Sequence, residues 1–120
     1  MAYSNAIVTV EVDNTDPKKL VFTVKVDQEP VHVGGKDGIE WVVDSDGWTF
    51  TQDRKGDSDG IDIKDPKKNF EDKKGKDRKK HKWDRVTKDN QTYRYTISVT
   101  NESVTKPATT LNWDPSIMND

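Results

Sequence analysis

The stretch Ile39–Thr51, IEWVVDSDGWTFT, constrains the fold more than any other part of this sequence. Val, Ile, Trp and Phe suit a pleated, half-buried surface, so it reads as two short β-forming runs joined by a turn. Asp44-Ser45-Asp46-Gly47 is strong turn chemistry, because glycine takes the positive φ that a tight connection requires. The spacing predicts a β-hairpin. A four-residue connection sets Val43 opposite Trp48 and Trp41 opposite Phe50, whereas a bulged loop with Gly47 left-handed sets Val42 opposite Phe50. In either register the arms carry more apolar surface than one buried face needs. The hairpin is therefore expected at the centre of a two-layer structure.

Other segments show the same period of two. Ala6, Val8, Val10 and Val12 alternate with Ile7, Thr9 and Glu11; Leu20, Phe22, Val24 and Val26 alternate with Val21, Thr23 and Lys25. Tyr93, Tyr95, Ile97 and Val99 alternate with Thr92, Arg94, Thr96 and Ser98. These three are the clearest strands. Shorter runs are expected at Val31–Val33, Ile61–Lys64, His81–Val86 and Thr109–Trp113, punctuated by Asp, Asn, Gly and Pro. No segment carries helical periodicity beyond a turn or two.

The expectation is an all-β chain: a single antiparallel β-sandwich of about seven or eight strands, cupredoxin-like or immunoglobulin-like. A core spans about residues 6–113, a long charged loop about 64–82, and a polar tail 114–120. At 120 residues one domain is expected. Hydrophobic residues are only 30% and charged residues 35%, which would suit a disordered chain. The apolar residues are clustered in periodic runs, however, and four Trp, three Tyr and three Phe supply large burial per residue. The net charge of −2 gives a weak overall field that points to no partner.

The strand Tyr93-Arg94-Tyr95-Thr96-Ile97 resembles the penultimate strand of cupredoxin-like domains. Together with Gly38-Ile39-Glu40-Trp41, Thr49-Phe50, Gly60-Ile61 and Asp114-Pro115-Ser116-Ile117, it looks like small bacterial proteins with no assigned function. The resemblance spans roughly residues 6–118 and implies a cupredoxin-like sandwich. Copper-binding relatives carry Cys on that strand, followed by His and Met. Here Ile97 stands instead and the chain has no Cys, so the resemblance implies no copper chemistry.

Each possible site meets a structural alternative. The imidazole and thioether groups are His32, His81, Met1 and Met118, too few and too scattered for a zinc or copper centre. Asp57, Asp59 and Asp62 are calcium candidates, but the glycine after Asp57-Ser58-Asp59 comes two positions early for an EF-hand and the closing Glu is missing. Asp and Gly make turns equally well here. Lys73–Arg85 holds eight Lys or Arg in thirteen residues. Lys73, Lys74, Lys76, Arg78, Lys79, Lys80 and Lys82, with Trp83 for stacking, form a polyanion-binding candidate. Against it, a pI of 5.7 lacks domain-wide basicity, and Trp83 reads equally as a core residue under a loop. Trp41, Trp48 and Trp113 could stack on sugars, but a chain short of aliphatic mass needs them in its core.

No nucleophile–base spacing or phosphate-cradling glycine loop marks an enzyme. The composite expectation is a non-catalytic binding or structural module without cofactor. Its partner is a protein, or alternatively a polyanion or calcium. No apolar run is long enough to span a membrane. A complete chain would be cytoplasmic, since its start lacks a leader; a processed one would be exported.

Overall fold

The computed structural model of the chain describes residues 2–13, 15, 21–51, 60–65, 68–73, 77–101 and 110–120. Among them every regular element is a strand, eleven in two sheets. The Tyr93–Val99 alternation forms β9 (Thr92–Asn101), the centre of a six-stranded sheet. One edge of β9 is covered by β10 (Thr110–Trp113) and β11 (Ser116–Met118) in one antiparallel register, from Thr110↔Thr100 to Met118↔Thr92. That edge breaks only at Asp114-Pro115, where proline has no N–H to give. The Pro115 carbonyl still accepts the Tyr95 N–H at 3.0 Å.

The opposite edge of β9 takes β5 (Trp48–Phe50) and β6 (Ile61–Ile63), also antiparallel. Between them, the Thr51 N–H donates to the Ser98 carbonyl (2.9 Å) and the Ser98 N–H to the Gly60 carbonyl (2.7 Å). The Gly60 N–H donates to the Thr51 carbonyl (2.8 Å), so Thr51 and Gly60 meet beside the same residue of β9. β3 (Val31–His32) completes this sheet, parallel to β11.

The other sheet runs β2 (Val21–Val26), β1 (Tyr3–Asp13), β4 (Gly38–Val43), β8 (Lys80–Arg85), β7 (Phe70–Asp72). The eleven residues of β1 serve two partners in turn. Tyr3–Val8 pairs parallel with β4, and Val8–Asp13 antiparallel with β2.

The inward rows of both sheets make one core. Eighteen hydrophobic residues are buried among the described ones, six of them aromatic: Trp41, Trp48, Phe50, Phe70, Tyr93 and Tyr95. Phe22, Trp83 and Trp113 pack against these. Aromatic rings thus supply the burial that scarce aliphatic residues cannot. Trp41 and Tyr95 bridge the layers, with ring centroids 5.2 Å apart and the indole N–H donating to the phenol oxygen at 3.2 Å.

Four expectations need correction. Ile39–Thr51 is not a hairpin. Both edges of β4 are taken, by β1 and β8, so the chain turns at Asp44–Gly47 out of the five-stranded sheet and β5 pairs with β9 instead. Gly47 does take a φ of 80°, and Trp48 N–H donates to the Ser45 carbonyl at 3.2 Å. The turn chemistry holds, but Trp41 and Phe50 belong to facing layers rather than neighbouring strands. Second, the architecture is two mixed sheets, with parallel pairs β1–β4 and β3–β11, not a wholly antiparallel sandwich of seven or eight strands. Third, the polar tail contains β11, and Ile117 and Asn119 are fully buried because the β9 edge continues past Pro115. Fourth, the loop at 64–82 contains β7 and the start of β8, since Phe70 anchors a strand on β8.

Gly38 lies where β4 is flanked by β8, and a Cβ there would sit 2.1 Å from the Trp83 carbonyl oxygen and 2.9 Å from Asp84 Cα. Gly35 has nothing within 4 Å. Gly38→Ala is therefore expected to cost about 1–3 kcal/mol, and Gly35→Ala less than about 0.5 kcal/mol. Urea unfolding midpoints of the two variants check this contrast.

Candidate functional site

Within the basic segment, Lys80 and Lys82 alternate with the buried His81 on β8, and the Lys73 N–H donates to the Lys82 carbonyl at 3.0 Å, so Lys73, Lys80 and Lys82 share the outer face of the five-stranded sheet. Lys74 and Lys76 lie outside the described residues, as do Asp57 and Asp59. Lys73 Nζ is 3.0 Å from Glu71, Lys82 Nζ is 3.6 Å from Glu40 and lies over the Tyr3 ring, and Lys79 Nζ donates to the Ser45 carbonyl. Arg78 and Lys80 are exposed beside them. Trp83 is turned inward, its indole N–H donating to the Ile61 carbonyl at 3.1 Å. Asp62 is bound to Lys64 Nζ at 2.6 Å on the outer face of β6. Trp41 and Trp48 are buried, which leaves neither ring for stacking on a sugar. Among the described residues, no three His, Cys, Asp or Glu side chains are grouped to hold a metal, and no helix is long and apolar enough to cross a membrane.

His81 is the histidine with the most built surroundings. Its position opposite Trp41 on β8 points it into the core, where it is 1% exposed. Nδ1 accepts the Ile61 N–H at 3.2 Å, so Nε2 carries the proton and donates to Asp72 Oδ1 at 2.8 Å. The Trp83 ring stacks on it at 6.3 Å and 13°. One side chain thus takes the Ile61 N–H and its neighbour satisfies the Ile61 carbonyl. The edge of β6 that faces away from β9 is closed by the other sheet. Both nitrogens are hydrogen-bonded, so this His–carboxylate pair ties the two layers together.

A second polar junction lies at the end of the barrel-like core where Tyr93 begins the inward row. Asp89 receives the Asn119 Nδ2 and Gln91 N–H on Oδ1, and Asn69 Nδ2 and the Tyr93 hydroxyl on Oδ2. Four donors already fill this carboxylate, and protons aimed at it would repel a cation. Asp65 Oδ1 and Asn119 Oδ1 are buried nearby without a hydrogen-bond partner among the described residues.

The open chemistry lies on the outer face of the six-stranded sheet. Residues that alternate with the buried ones must face out: Arg94 and Thr96 on β9, Asp62 on β6, Ser116 and Met118 on β11, His32 on β3. Lys64 follows β6, and its N–H donates to the Arg94 carbonyl at 2.9 Å, so the two cations are cross-strand neighbours. In the next row Asp62 and Thr96 are paired, and Thr96 donates its hydroxyl to Asp114 Oδ1 at 2.6 Å. Lys64, Arg94, Tyr95, Thr96 and Asp114 line an open cleft of about 260 Å³. Arg94 Nη1 donates to the Asp114 carbonyl at 3.2 Å, and among the described residues Arg94 forms no salt bridge. The Lys64–Asp62 pair is more than half exposed at Lys64, so it contributes less than about 1 kcal/mol. Like charges opposite one another are unfavourable, and this weak pairing leaves the Lys64–Arg94 row able to exchange partners.

Beyond that row, His32 Nδ1 lies 2.7 Å from Asp120 Oδ2, and Gly34 N–H donates to Asp120 Oδ1 at 2.9 Å. These two contacts hold the Asp120 carboxyl below the usual carboxylate range. The hydroxyl of Thr92, in the same row, is directed to the Met118 sulfur at 3.7 Å rather than to His32. Arg94, Thr96 and Asp114 did not stand out in the sequence. Two of them were legible as outward positions of the Tyr93–Ile97 strand, but which neighbours they meet depends on a non-local pairing.

Removing the His81 ring by His81→Ala leaves a buried Ile61 N–H and a void beside Phe50, whose ring lies 6.0 Å away. The expected loss is about 3 kcal/mol, read by chemical unfolding. All three tyrosines are raised from the ordinary phenol value: Tyr3 by its hydrogen bond to Asp84, Tyr93 by its hydrogen bond to Asp89, and Tyr95 by burial. A raised phenol pKa contributes stability that is complete below about pH 10 and is lost as pH climbs through the folded-state value. Ultraviolet titration should therefore show Tyr95 ionising only together with alkaline unfolding, while Tyr3 and Tyr93 titrate late in the folded protein; three ordinary tyrosine titrations in the folded protein would contradict it.

No family model matches this chain, and no curated protein matches it.

Proposed function

We propose that this chain is a non-catalytic binding module that presents the outer face of its six-stranded sheet to a protein segment. The observation that carries this reading is the cleft lined by Lys64, Arg94, Thr96 and Asp114. There, charged and hydroxyl groups from β6, β9 and the β10–β11 break stand around an open concavity on a rigid sheet. By contrast, His81 and Tyr93 are buried, with their polar atoms bonded to Asp72 and Asp89. Sites on strands hold geometry better than sites on loops, which suits recognition.

The finer architecture fits a cupredoxin-like domain of the sort found in small bacterial proteins. Parallel pairs in both sheets depart from the wholly antiparallel sheets of immunoglobulin domains, which supports that choice. The polyanion reading through Lys73, Arg78, Lys79, Lys80 and Lys82 is less well supported. Trp83 stacks on His81 and packs against the core instead of offering its face, which removes the aromatic partner of that reading. Calcium at Asp62 is not supported by a group of three carboxylates among the described residues.

A peptide array with acidic, basic, neutral and apolar members tests the reading, its hits mapped by amide NMR on the labelled protein. Shifts centred on Asp62, Lys64, Arg94, Thr96 and Ser116 are expected. Shifts centred on Lys73 and Arg78–Lys82 would replace this reading with the polyanion one, and an array without hits would overturn it.

A further inference from the structure

The Lys64–Arg94 row points to a specific ligand chemistry, resting on the binding-face reading above. Lys64 and Arg94 sit side by side across β6 and β9, so an anion placed between them would relieve their mutual repulsion. Arg94 is positioned but not neutralised: one nitrogen of its fork is held by the Asp114 main-chain oxygen, an uncharged acceptor, and the residue lines the cleft. A guanidinium steadied in this way is suited to take two oxygens of one planar anion. The surrounding carboxylates decide which anion. Asp62 and Asp114 flank Thr96 one row away and offset part of the positive charge, so the second charge of a dianion gains less there than it would in a purely cationic pocket. The Thr96 hydroxyl is already directed to Asp114 at 2.6 Å, which removes a donor that a phosphate would need for its additional oxygens.

We propose that the cleft between Lys64 and Arg94 is a carboxylate subsite that receives a Glu or Asp side chain of an acidic peptide segment. Arg94 supplies the fork. Lys64 exchanges its weak contact with Asp62 for the ligand, and Asp62 and Asp114 select against doubly charged groups.

The test is an amide NMR titration of the full chain with a capped peptide containing one Glu between small neutral residues. The same peptide with Gln, the same peptide with phosphoserine, and inorganic phosphate serve as comparison ligands. The Glu peptide is expected to shift Asp62, Lys64, Arg94, Thr96 and Asp114, with a Kd on the order of millimolar for a single anchor. Arg94→Gln should weaken it about tenfold, the loss of a charge-assisted contact. Lys64→Gln should weaken it less. Both positions are exposed, and thermal melts of the variants confirm that the fold is retained. Equal binding of the Glu and Gln peptides would overturn the carboxylate subsite while leaving the binding face standing. Tighter binding of phosphoserine or phosphate would overturn the selection for a single charge. No shift with any of the four ligands would overturn the subsite, and the broader array then decides the binding face independently.

Discussion

The pairing of β9 on both edges is the constraint on which the rest depends. One strand of ten residues holds four others, two to an edge, and each pair of neighbours lies in sequence along it. Because its inward row carries Tyr93, Tyr95, Ile97 and Val99, the same strand that organises the hydrogen bonding also supplies the middle of the core. Its outward row then has no apolar duty. Arg94 and Thr96 can serve recognition because the period of two puts them on the face the core does not use.

The two layers are held together by contacts that are more specific than apolar packing. Trp41 reaches Tyr95, and the adjacent His81 and Trp83 take both main-chain groups of Ile61. A buried, unsatisfied N–H costs about 1–3 kcal/mol, so these side chains do more than fill space. They tell the sheets which register to adopt against each other, and they cap a strand edge that would otherwise be open to pairing.

How much of this was legible in the sequence varies with how local the cause is. The alternations within Ala6–Val12, Val21–Val26 and Thr92–Thr100 are strands because side-chain direction depends on the neighbouring residues alone, while Leu20 lies outside the described residues. Asp44–Gly47 was legible as a turn for the same reason. Whether its arms pair with each other was not, because that depends on whether β1 and β8 have already occupied both edges of β4. Ile117 was passed over because a single apolar residue after Pro115 carries no period; only the continued register along β9 makes it core. The cleft was illegible for a related reason, since Lys64, Arg94 and Asp114 are gathered from three separate parts of the chain by those pairings.

The meeting of Thr51 and Gly60 beside Ser98 has a consequence for how this protein can vary. The sheet fixes both ends against one residue, Ser98, and the two ends are also bonded to each other. Nothing in the register of β5 or β6 therefore depends on how many residues are spelled out between them. Loop closure becomes only slowly more costly with length, about 0.6 kcal/mol for each doubling. The frame thus offers a socket: a foreign peptide written between those two residues would be displayed from a closed strand edge, on the same sheet whose outer face carries the cleft.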